Sequence, residues 1–428
     1  MTSFPYDPGC CVNRRAFLLG AGAGLAAGTS LTWLGLRGLR SPDVPTRPSI
    51  ETPHPGDGMP GPYRGRVIEV RHRGAVRPDH TIRPDAVKGM MARGLCELTG
   101  ADHVADAWRR FFQADDVVGI KVNPVGRNYR ARRPVAISSP EVVLQVVAGL
   151  KSAGVRPRDI ILLERYADQF RGGGYEALLL ERSMSGVRWY ASSAQYDDRQ
   201  VDIEGYDLGD GRDPHVLGYD PDVFVPMGFA SPLHDPKDDR RFRSHLSLAV
   251  SRMINKLVTI PVLKDHGSAG VTLALKNMSH GLHNNVARSH IGDIHRGADL
   301  IGPNQCNTFI PTAAAQPLLR QKATLHILDG LIAVYQGGPS VGLSWHRKSL
   351  FFATDPVALD RVGWDIINAK RRREGMPAVE EMGLYSGTPA GRQGEAFDRR
   401  QPEHIYLAAT LGLGVFDTVD HRAIELTS

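Results

Sequence analysis

A strand, a helix and a second strand follow one another in one part of the chain, and this succession constrains the fold more than any other feature. The three runs are the apolar "DVVGIKVNP" (116–124), the helically spaced "SSPEVVLQVVAGLKSAG" (138–154) and the apolar "DIILLERY" (159–166). Ser139 stands at the helix N-cap, and Pro140 occupies the first helical position. A helix that links two strands in this way predicts a βαβ unit with parallel strands.

The same alternation of strands and helices returns on both sides of this unit. Predicted strands are 66–73, 255–263, 323–332 and 349–354, and predicted helices are 85–98, 271–283, 311–321 and 355–372. Residues 198–239 are polar, rich in turn residues and without regular periodicity, which is typical of an insertion or lid. The sequence therefore predicts an α/β fold, with a mixed, mainly parallel sheet flanked by helices and an irregular insertion.

The first 40 residues have the pattern of a twin-arginine export signal. Arg14 and Arg15 precede a Gly/Ala-rich apolar stretch that ends at Leu36. We therefore expect the twin-arginine translocation machinery as a partner and a periplasmic or otherwise extracytoplasmic location. Cleavage stays open, because residues 16–36 are nearly long enough to span a bilayer, so membrane contact would be limited to them if they are retained. A Pro/Gly-rich linker (41–63) then leads into the α/β domain (64–428).

Composition excludes some classes of protein. The chain has 428 residues, 42% of them hydrophobic, which suffices for a large core. The formal charge of +6 and the absence of basic runs with interleaved aromatic residues argue against a nucleic-acid partner. Beyond the signal only Cys96 and Cys306 remain, without C-x-x-C spacing, so no iron-sulfur cluster is expected. Whether these two thiols form a disulfide or stay free is left open.

Polar side chains follow several predicted strands at the point where each strand ends. They are Lys121, Asn123, Glu164, Lys264, His266 and Asp329. A polar residue at a single strand exit is unremarkable, but ligands of α/β sheets bind outside the carboxyl ends of the strands. The coincidence of several such residues predicts a polar pocket there. Lys121 and Lys264 follow apolar runs so closely that we expect them to be shielded from solvent and to need an anionic partner.

The helix predicted after His266 adds further groups. Lys276, His280 and His283 are neighbours at four-then-three spacing, and Ser268 is a potential cap. This stripe could be the solvated flank of an amphipathic helix, although it lacks the carboxylates usual on such flanks. It could also bind an anion. A third alternative is a divalent metal held by His280, His283, His290 and Asp293, since five histidines fall between 266 and 295.

Two later stretches resemble site loops. Gly337 and Gly338 could let backbone N–H groups approach a ligand, although a Gly-Gly-Pro turn is most often a simple bend. In "ATDPVALD" (353–360) we expect Asp355 to cap a helix and Asp360 to face the pocket.

Several of these runs together resemble the domain-of-unknown-function 362 family. The resemblance spans about Val117 to Val415 and is most specific in "IPVLKDHGSAGVTLALKNMSHG" (260–281). The resemblance implies an α/β fold and the positions of site residues, but no reaction. Several members carry an appended ferredoxin segment with four cysteines. This chain lacks those cysteines, which puts electron transfer through an iron-sulfur cluster in doubt, whereas the export signal occurs in relatives.

Two functions of different classes follow from these residues. The first is an exported enzyme that acts on a small anionic molecule. Such an enzyme could depend on a metal or be linked to a redox reaction. Its catalytic residues would be His266 as general acid or base, Lys264, Asp329 and Asp360; its substrate-binding residues would be Lys121, Asn123, Lys276, Asn277, Gly337 and Gly338. The second is an exported binding or assembly protein that delivers a metal or cofactor without turnover.

Overall fold

A large, mostly parallel sheet organises the chain in the computed structural model, which describes residues 58–126, 136–195, 213–226, 242–290, 305–340, 342–381 and 402–427. The strands are β1 (Arg66–His72), β2 (Val118–Lys121), β3 (Ile160–Tyr166), β4 (Arg188–Ser193), β5 (Tyr219–Pro226), β6 (Arg243–Ser247), β7 (Lys256–Thr259), β8 (Val262–His266), β9 (Gly270–Val271), β10 (Ala323–Gln336), β11 (Leu343–Trp345), β12 (Ser349–Ala353) and β13 (Asp420–Leu426). The helices are α1 (Pro84–Thr99), α2 (Val104–Arg109), α3 (Pro140–Ser152), α4 (Ala167–Gly172), α5 (Tyr175–Leu178), α6 (Leu273–Leu282), α7 (Cys306–Ala314), α8 (Pro317–Lys322), α9 (Pro356–Arg373) and α10 (Glu403–Thr410).

The main sheet has a parallel half and a mixed half, in which β1 and β13 are parallel. Its strand order within the described residues is β13-β1-β12-β10-β7-β2-β3-β4, with β8 and β11 attached to β10 and β9 to β8. From β10 to β4 all neighbours are parallel, whereas β12 is antiparallel to β1 and β10. Along β3, Ile160 and Leu162 join the apolar cluster that contains α1 and α3, while Ile161 and Leu163 join the one that contains α6 and α9. Helices therefore cover both faces, which confirms the predicted α/β fold.

The βαβ unit predicted from the sequence is present. α3 begins at Pro140 after Ser139 as N-cap, and the strands on either side of it, β2 and β3, are parallel. Lys121, the last residue of β2, pairs in register with Leu163 of β3 and with Thr259 of β7. The carboxyl ends of three strands are thus aligned, and the side chains that follow them converge on one edge.

Two predicted elements are each divided in two. The predicted strand 255–263 becomes β7 and β8, separated at Ile260 and Pro261, because proline has no N–H to donate to a sheet ladder. The predicted helix 311–321 is divided between α7 and α8. The Gln316 side chain caps α8 by accepting from Leu318 N and Leu319 N, and Pro317 takes its first position.

Part of the predicted irregular insertion is regular. β5 pairs antiparallel with β6 in a small two-stranded sheet, although its sequence contains two prolines and two aspartates. Prolines are tolerated in such an edge pair because some of its N–H groups need no partner strand. The rest of the insertion, residues 198–212 and 227–239, lies outside the described residues.

The predicted export signal and the linker up to residue 57 also lie outside the described residues. In the part of the chain that the structure describes, no helix combines the length and the apolar character needed to cross a membrane.

α6 is shorter than predicted and is buried almost all round. It begins at Leu273, and its first amides, Ala274 N and Leu275 N, donate to the carboxylate of Asp360 at 2.7 and 2.9 Å. Ser268 is not the cap, because the backbone turns through β9 before the helix starts. Nine of the ten helical residues are buried. The alternative that Lys276 and His280 form a solvated flank is therefore wrong.

Asp355 caps α9, as predicted, and also ties the helix to two distant segments. Its carboxylate accepts from Ala358 N at 2.9 Å, Gly65 N at 2.9 Å and Val415 N at 3.0 Å. We expect Asp355→Ala to lower the free energy of unfolding by about 3 kcal/mol, because three backbone donors lose their acceptor. Urea denaturation measures the change. Asp365→Ala removes an exposed carboxylate from the same helix as a control, and equal stability of the two variants would contradict this role.

Candidate functional site

A buried ion pair joins the ends of β2 and β3. Lys121 Nζ lies 2.7 Å from Glu164 Oε2, and both side chains are almost fully buried. The ammonium also lies against α6, because a Cβ added at Gly281 would come within 3.0 Å of Nζ. Burial lowers the pKa of Lys121, and Glu164 opposes this shift. The glycine thus lets the helix approach closely enough to enclose the pair.

Lys264, in β8, holds the chain that follows β2. Its Nζ donates to Asn123 Oδ1 at 3.1 Å, to Val125 O at 2.5 Å and to Ala136 O at 3.5 Å. Burial, and next the charge of Lys276, lower the pKa of Lys264 to about 7. The ammonium of Lys264 and the side-chain oxygen of Asn123 already form hydrogen bonds within the protein. Both residues therefore contribute more to the shape of the site than to contacts with a ligand.

Lys276 differs from the other buried lysines. Among the described residues, no acceptor contacts its ammonium, although the residue is only 7% exposed. Burial lowers the pKa of Lys276 to about 8, and Arg165 lowers it further while Cys306 raises it. Its charge also acts on His404 in α10, whose two ring nitrogens are buried without a partner in the described structure. A buried donor without an acceptor is costly and indicates a missing partner.

We call Lys121, Arg165, Lys264 and Lys276 the cation cluster. Electrostatic interactions connect its members, and each is less than 9% exposed. Two buried carboxylates accompany it: Glu164 pairs with Lys121, and Asp265 accepts from Gly337 N at 3.2 Å and Gly338 N at 2.8 Å. Four cations against two carboxylates leave an excess of positive charge.

The glycines and carboxylates predicted as site residues form hydrogen bonds within the protein. Gly337 and Gly338 donate to Asp265, as described above. Asp329 accepts from Ser139 N at 2.8 Å and Leu331 N at 3.0 Å, and burial raises its pKa to about 6. Asp360 accepts from the first amides of α6. The roles of these groups toward a substrate stay predictions. Asn277 lies near Lys121 and has a buried Nδ2 without a described partner.

His266 has its tautomer set by the backbone. Its Nδ1 accepts from Ser268 N at 3.0 Å and from Ala269 N at 3.1 Å. A nitrogen that accepts two N–H groups carries no proton, so the proton of the neutral ring resides on Nε2. This arrangement suits a hydrogen-bond donor at Nε2. It is unfavourable for a general base, because Nε2 already carries the proton and uptake of a second proton at Nδ1 would place a donor against two donors.

The predicted metal ligands separate into two groups. His280 and His290 lie together, with ring centroids 4.8 Å apart, and Cys306 completes a group whose potential ligand atoms lie within 4.8 Å of one another. His283 is not in that group; its Nδ1 is 2.9 Å from Ser279 O, and burial lowers its pKa to about 4. Asp293 lies outside the described residues.

Arg165, Asp265, Cys306 and His404 lie at the site and were absent from the predicted set. Arg165 and Glu164 follow the apolar run of β3, and Glu164 was recognised only as a strand end. Cys306 and His404 reach the site because α7 packs against α6 and α10 packs against α7, and neither has a sequence signal. Cys96, half-buried, and Cys306, buried, form no disulfide with each other.

A surface cleft of about 640 Å³ lies elsewhere. Its lining includes Arg71, Trp345, Arg347, Arg361, Lys370 and Glu374. Three of its cations pair with carboxylates: Arg361 with Asp365, Lys370 with Glu374, and Arg347 with Glu69. Because these charges are compensated, the cleft is less suited to bind an anion than the interior of the protein is.

The fold and the site define an α/β protein with a buried, cation-rich centre at the carboxyl ends of its parallel strands. Residues 238–365 match the model of a family described as Domain of unknown function (DUF362), which confirms the resemblance over that segment. No curated protein matches the chain. The matched segment contains Lys264, His266 and Lys276, whereas Lys121 and Glu164 precede it.

Proposed function

We propose that the chain is an enzyme that binds a small anionic molecule at the cation cluster and exchanges a proton with it. Lys276 carries the proposal: the residue is only 7% exposed, no hydrogen-bond acceptor in the described structure contacts its ammonium, and the other members of the cation cluster lie nearby. Burying an uncompensated charge is unfavourable, and a phosphate or carboxylate would supply both the missing charge and the missing acceptors.

The surrounding groups fit distinct tasks toward such an anion. With a pKa near 8, Lys276 can give or take a proton close to neutral pH, which is what a general acid or base requires. His266, neutral and protonated at Nε2, would donate a hydrogen bond to a developing oxyanion. Lys121 and Arg165 add a positive field from fixed positions.

The first test is whether anions stabilise the protein. Phosphate, sulfate and small mono- and dicarboxylates are compared with chloride at equal ionic strength in thermal unfolding. We expect at least one of these classes to raise Tm in a saturable way, because a ligand that binds only the folded state stabilises it. The class that binds then selects the esters and acids to screen for turnover. Equal Tm in all salts would contradict the proposal.

Substitutions of His266 separate a hydrogen-bond donor from a proton-transfer residue. A glutamine can accept from Ser268 N through its carbonyl oxygen and donate through its amide, so we expect His266→Gln to retain most anion affinity and turnover. His266→Leu should lower the affinity for the anion by about 10- to 100-fold, which is the contribution of one hydrogen bond to a charged group. Titration calorimetry measures both affinities. Equal losses in the two variants would show that the imidazole itself is required.

The proposed location is outside the cytoplasm. The twin-arginine pattern at residues 14–15 supports export by that machinery, to a periplasmic or other extracytoplasmic site. Replacing both arginines by lysine should leave the protein in the cytoplasmic fraction.

A second candidate function is the delivery of a metal or cofactor without turnover. The short distances between His280, His290 and Cys306 favour it. Transfer of a bound metal to an acceptor, with no conversion of any anion that binds, would support this function against the enzyme.

A further inference from the structure

Three side chains from separate elements surround one hydroxyl group. His280 comes from α6, His290 from the short 3-10 turn Val286–His290, and Cys306 is the first residue of α7. The Ser289 hydroxyl lies 2.7 Å from His280 Nε2, 3.3 Å from His290 Nδ1 and 3.8 Å from Cys306 Sγ. Their potential ligand atoms lie within 4.8 Å of one another. Packing of α6 against α7 thus gathers two imidazoles and a thiol that are distant in sequence.

From this geometry we infer that His280, His290 and Cys306 form a binding site for a divalent transition metal of the zinc type. Two imidazole nitrogens and one thiolate are borderline-soft ligands, which suit Zn²⁺ and exclude Mg²⁺ and Ca²⁺. In a tetrahedral site with bonds of about 2.0 to 2.3 Å the ligand atoms lie about 3.5 Å apart. The three side chains therefore need to close by about 1 Å.

Neighbouring groups prepare this site. Ser279 Oγ lies 3.2 Å from His280 Nδ1, so the hydroxyl can accept the proton there and orient Nε2 toward the metal, as outer-shell partners of histidine ligands do. Ser289 Oγ also donates to Val286 O at 2.7 Å, and this bond can persist when the metal takes the imidazole. The site differs from the set predicted from sequence, since Cys306 takes a place that His283 does not reach.

Metal binding would change the charge at the site of His280, His290 and Cys306. Metal binding displaces the thiol proton of Cys306, so the ion arrives with two positive charges and one proton leaves. The resulting thiolate offsets one charge, and it lies beside Lys276, which interacts with Cys306 electrostatically. Three protein ligands leave one tetrahedral position open. An anion in that position would offset the remaining charge, a step that rests on the proposed function, whereas the three-ligand site does not.

Cobalt binding to the full chain tests the site without any anionic ligand. The protein is freed of metal with a chelator and titrated with Co²⁺ alone in chloride buffer. We expect one Co²⁺ per chain, thiolate-to-cobalt charge-transfer absorption, and displacement of Co²⁺ by Zn²⁺. Cys306→Ser should abolish that absorption, and His290→Ala should weaken binding by more than the roughly 10- to 100-fold typical of outer-shell changes.

Two controls and two outcomes make the test decisive. With Cys10 and Cys11 replaced by serine in every protein tested, Cys96→Ser removes the one thiol besides Cys306, and His283→Gln removes the predicted ligand outside the group; both should bind Co²⁺ as the parent chain does. His290 is half-buried, so His290→Ala decides the matter if Cys306→Ser does not fold. No stoichiometric binding, or thiolate absorption that survives Cys306→Ser, would overturn the inference. Neither result depends on whether an anion binds at Lys276.

Discussion

Glu164→Gln should destabilise the protein by about 3 to 5 kcal/mol, the usual loss when a buried ion pair is broken from one side. Glu164 and Lys121 lie 2.7 Å apart with side chains only 3% and 2% exposed. The amide would leave Lys121 as another buried cation without a carboxylate. We expect the loss to shrink as the pH rises, because a neutral amine at Lys121 needs no counter-charge.

Urea denaturation at several pH values measures this effect. Glu176→Gln provides the control, because Glu176 pairs with Arg171 on the surface and exposed pairs contribute about 0 to 1 kcal/mol. The double variant Lys121→Met with Glu164→Gln should recover much of the stability, since no charge remains buried there. If Glu164→Gln alone is as stable as the unchanged protein, the pair does not hold β2 to β3.

Lys276→Met should have opposite effects on stability and on binding. Without ligand, removal of a buried ammonium that lacks an acceptor should stabilise the protein by about 1 to 3 kcal/mol. In the presence of the anion the ranking should reverse, because the variant loses the cation that holds the ligand and binds it about 100-fold more weakly. Replacement of a residue that only packs in the core would not increase stability and weaken anion binding at the same time.

The pH dependence of this stabilisation has a defined sign. The pKa of Lys276 is about 8 in the folded protein and 10.5 when unperturbed. Between these values the unfolded chain binds more protons, so this lysine makes stability rise with pH in that window. The advantage of Lys276→Met should be full below pH 8 and vanish toward pH 10.5. Lys88→Met, at an exposed position of α1, should show no such slope, and an equal slope in both variants would contradict the assignment.

The convergence of Lys121 and Lys264 at the candidate site could be predicted from the sequence, because strand ends are recognisable there. Lys121 and Lys264 each terminate or follow an apolar run, and parallel strands place their carboxyl ends at one edge. The same pattern did not show how the lysines are used. Lys121 pairs with Glu164 and Lys264 holds the chain after β2, and both pairings depend on registers and loop paths that the sequence alone leaves open.

The remaining site residues depended on packing between helices. Cys306 and His404 belong to α7 and α10, and no periodicity links them to α6. The fates of Asp329 and Asp360 follow from another competition. A helix start leaves backbone N–H groups without partners, and a nearby carboxylate is drawn to them. Both aspartates accept such N–H groups, which accounts for their positions, and a catalytic role for either stays a prediction.

The claim that the cation cluster binds an anion is tested most directly by counting protons. Titration calorimetry of sulfate or the best-binding carboxylate, which do not titrate between pH 6 and 8, is carried out at pH 8 in two buffers with different ionisation enthalpies and gives the number of protons taken up. Because an anion favours the charged amines of Lys264 and Lys276, whose pKa values are about 7 and 8, we expect uptake of about 0.5 to 1.5 protons per anion. Uptake should fall near zero at pH 6. Binding with no proton uptake at pH 8, or no binding by any anion, would contradict the account.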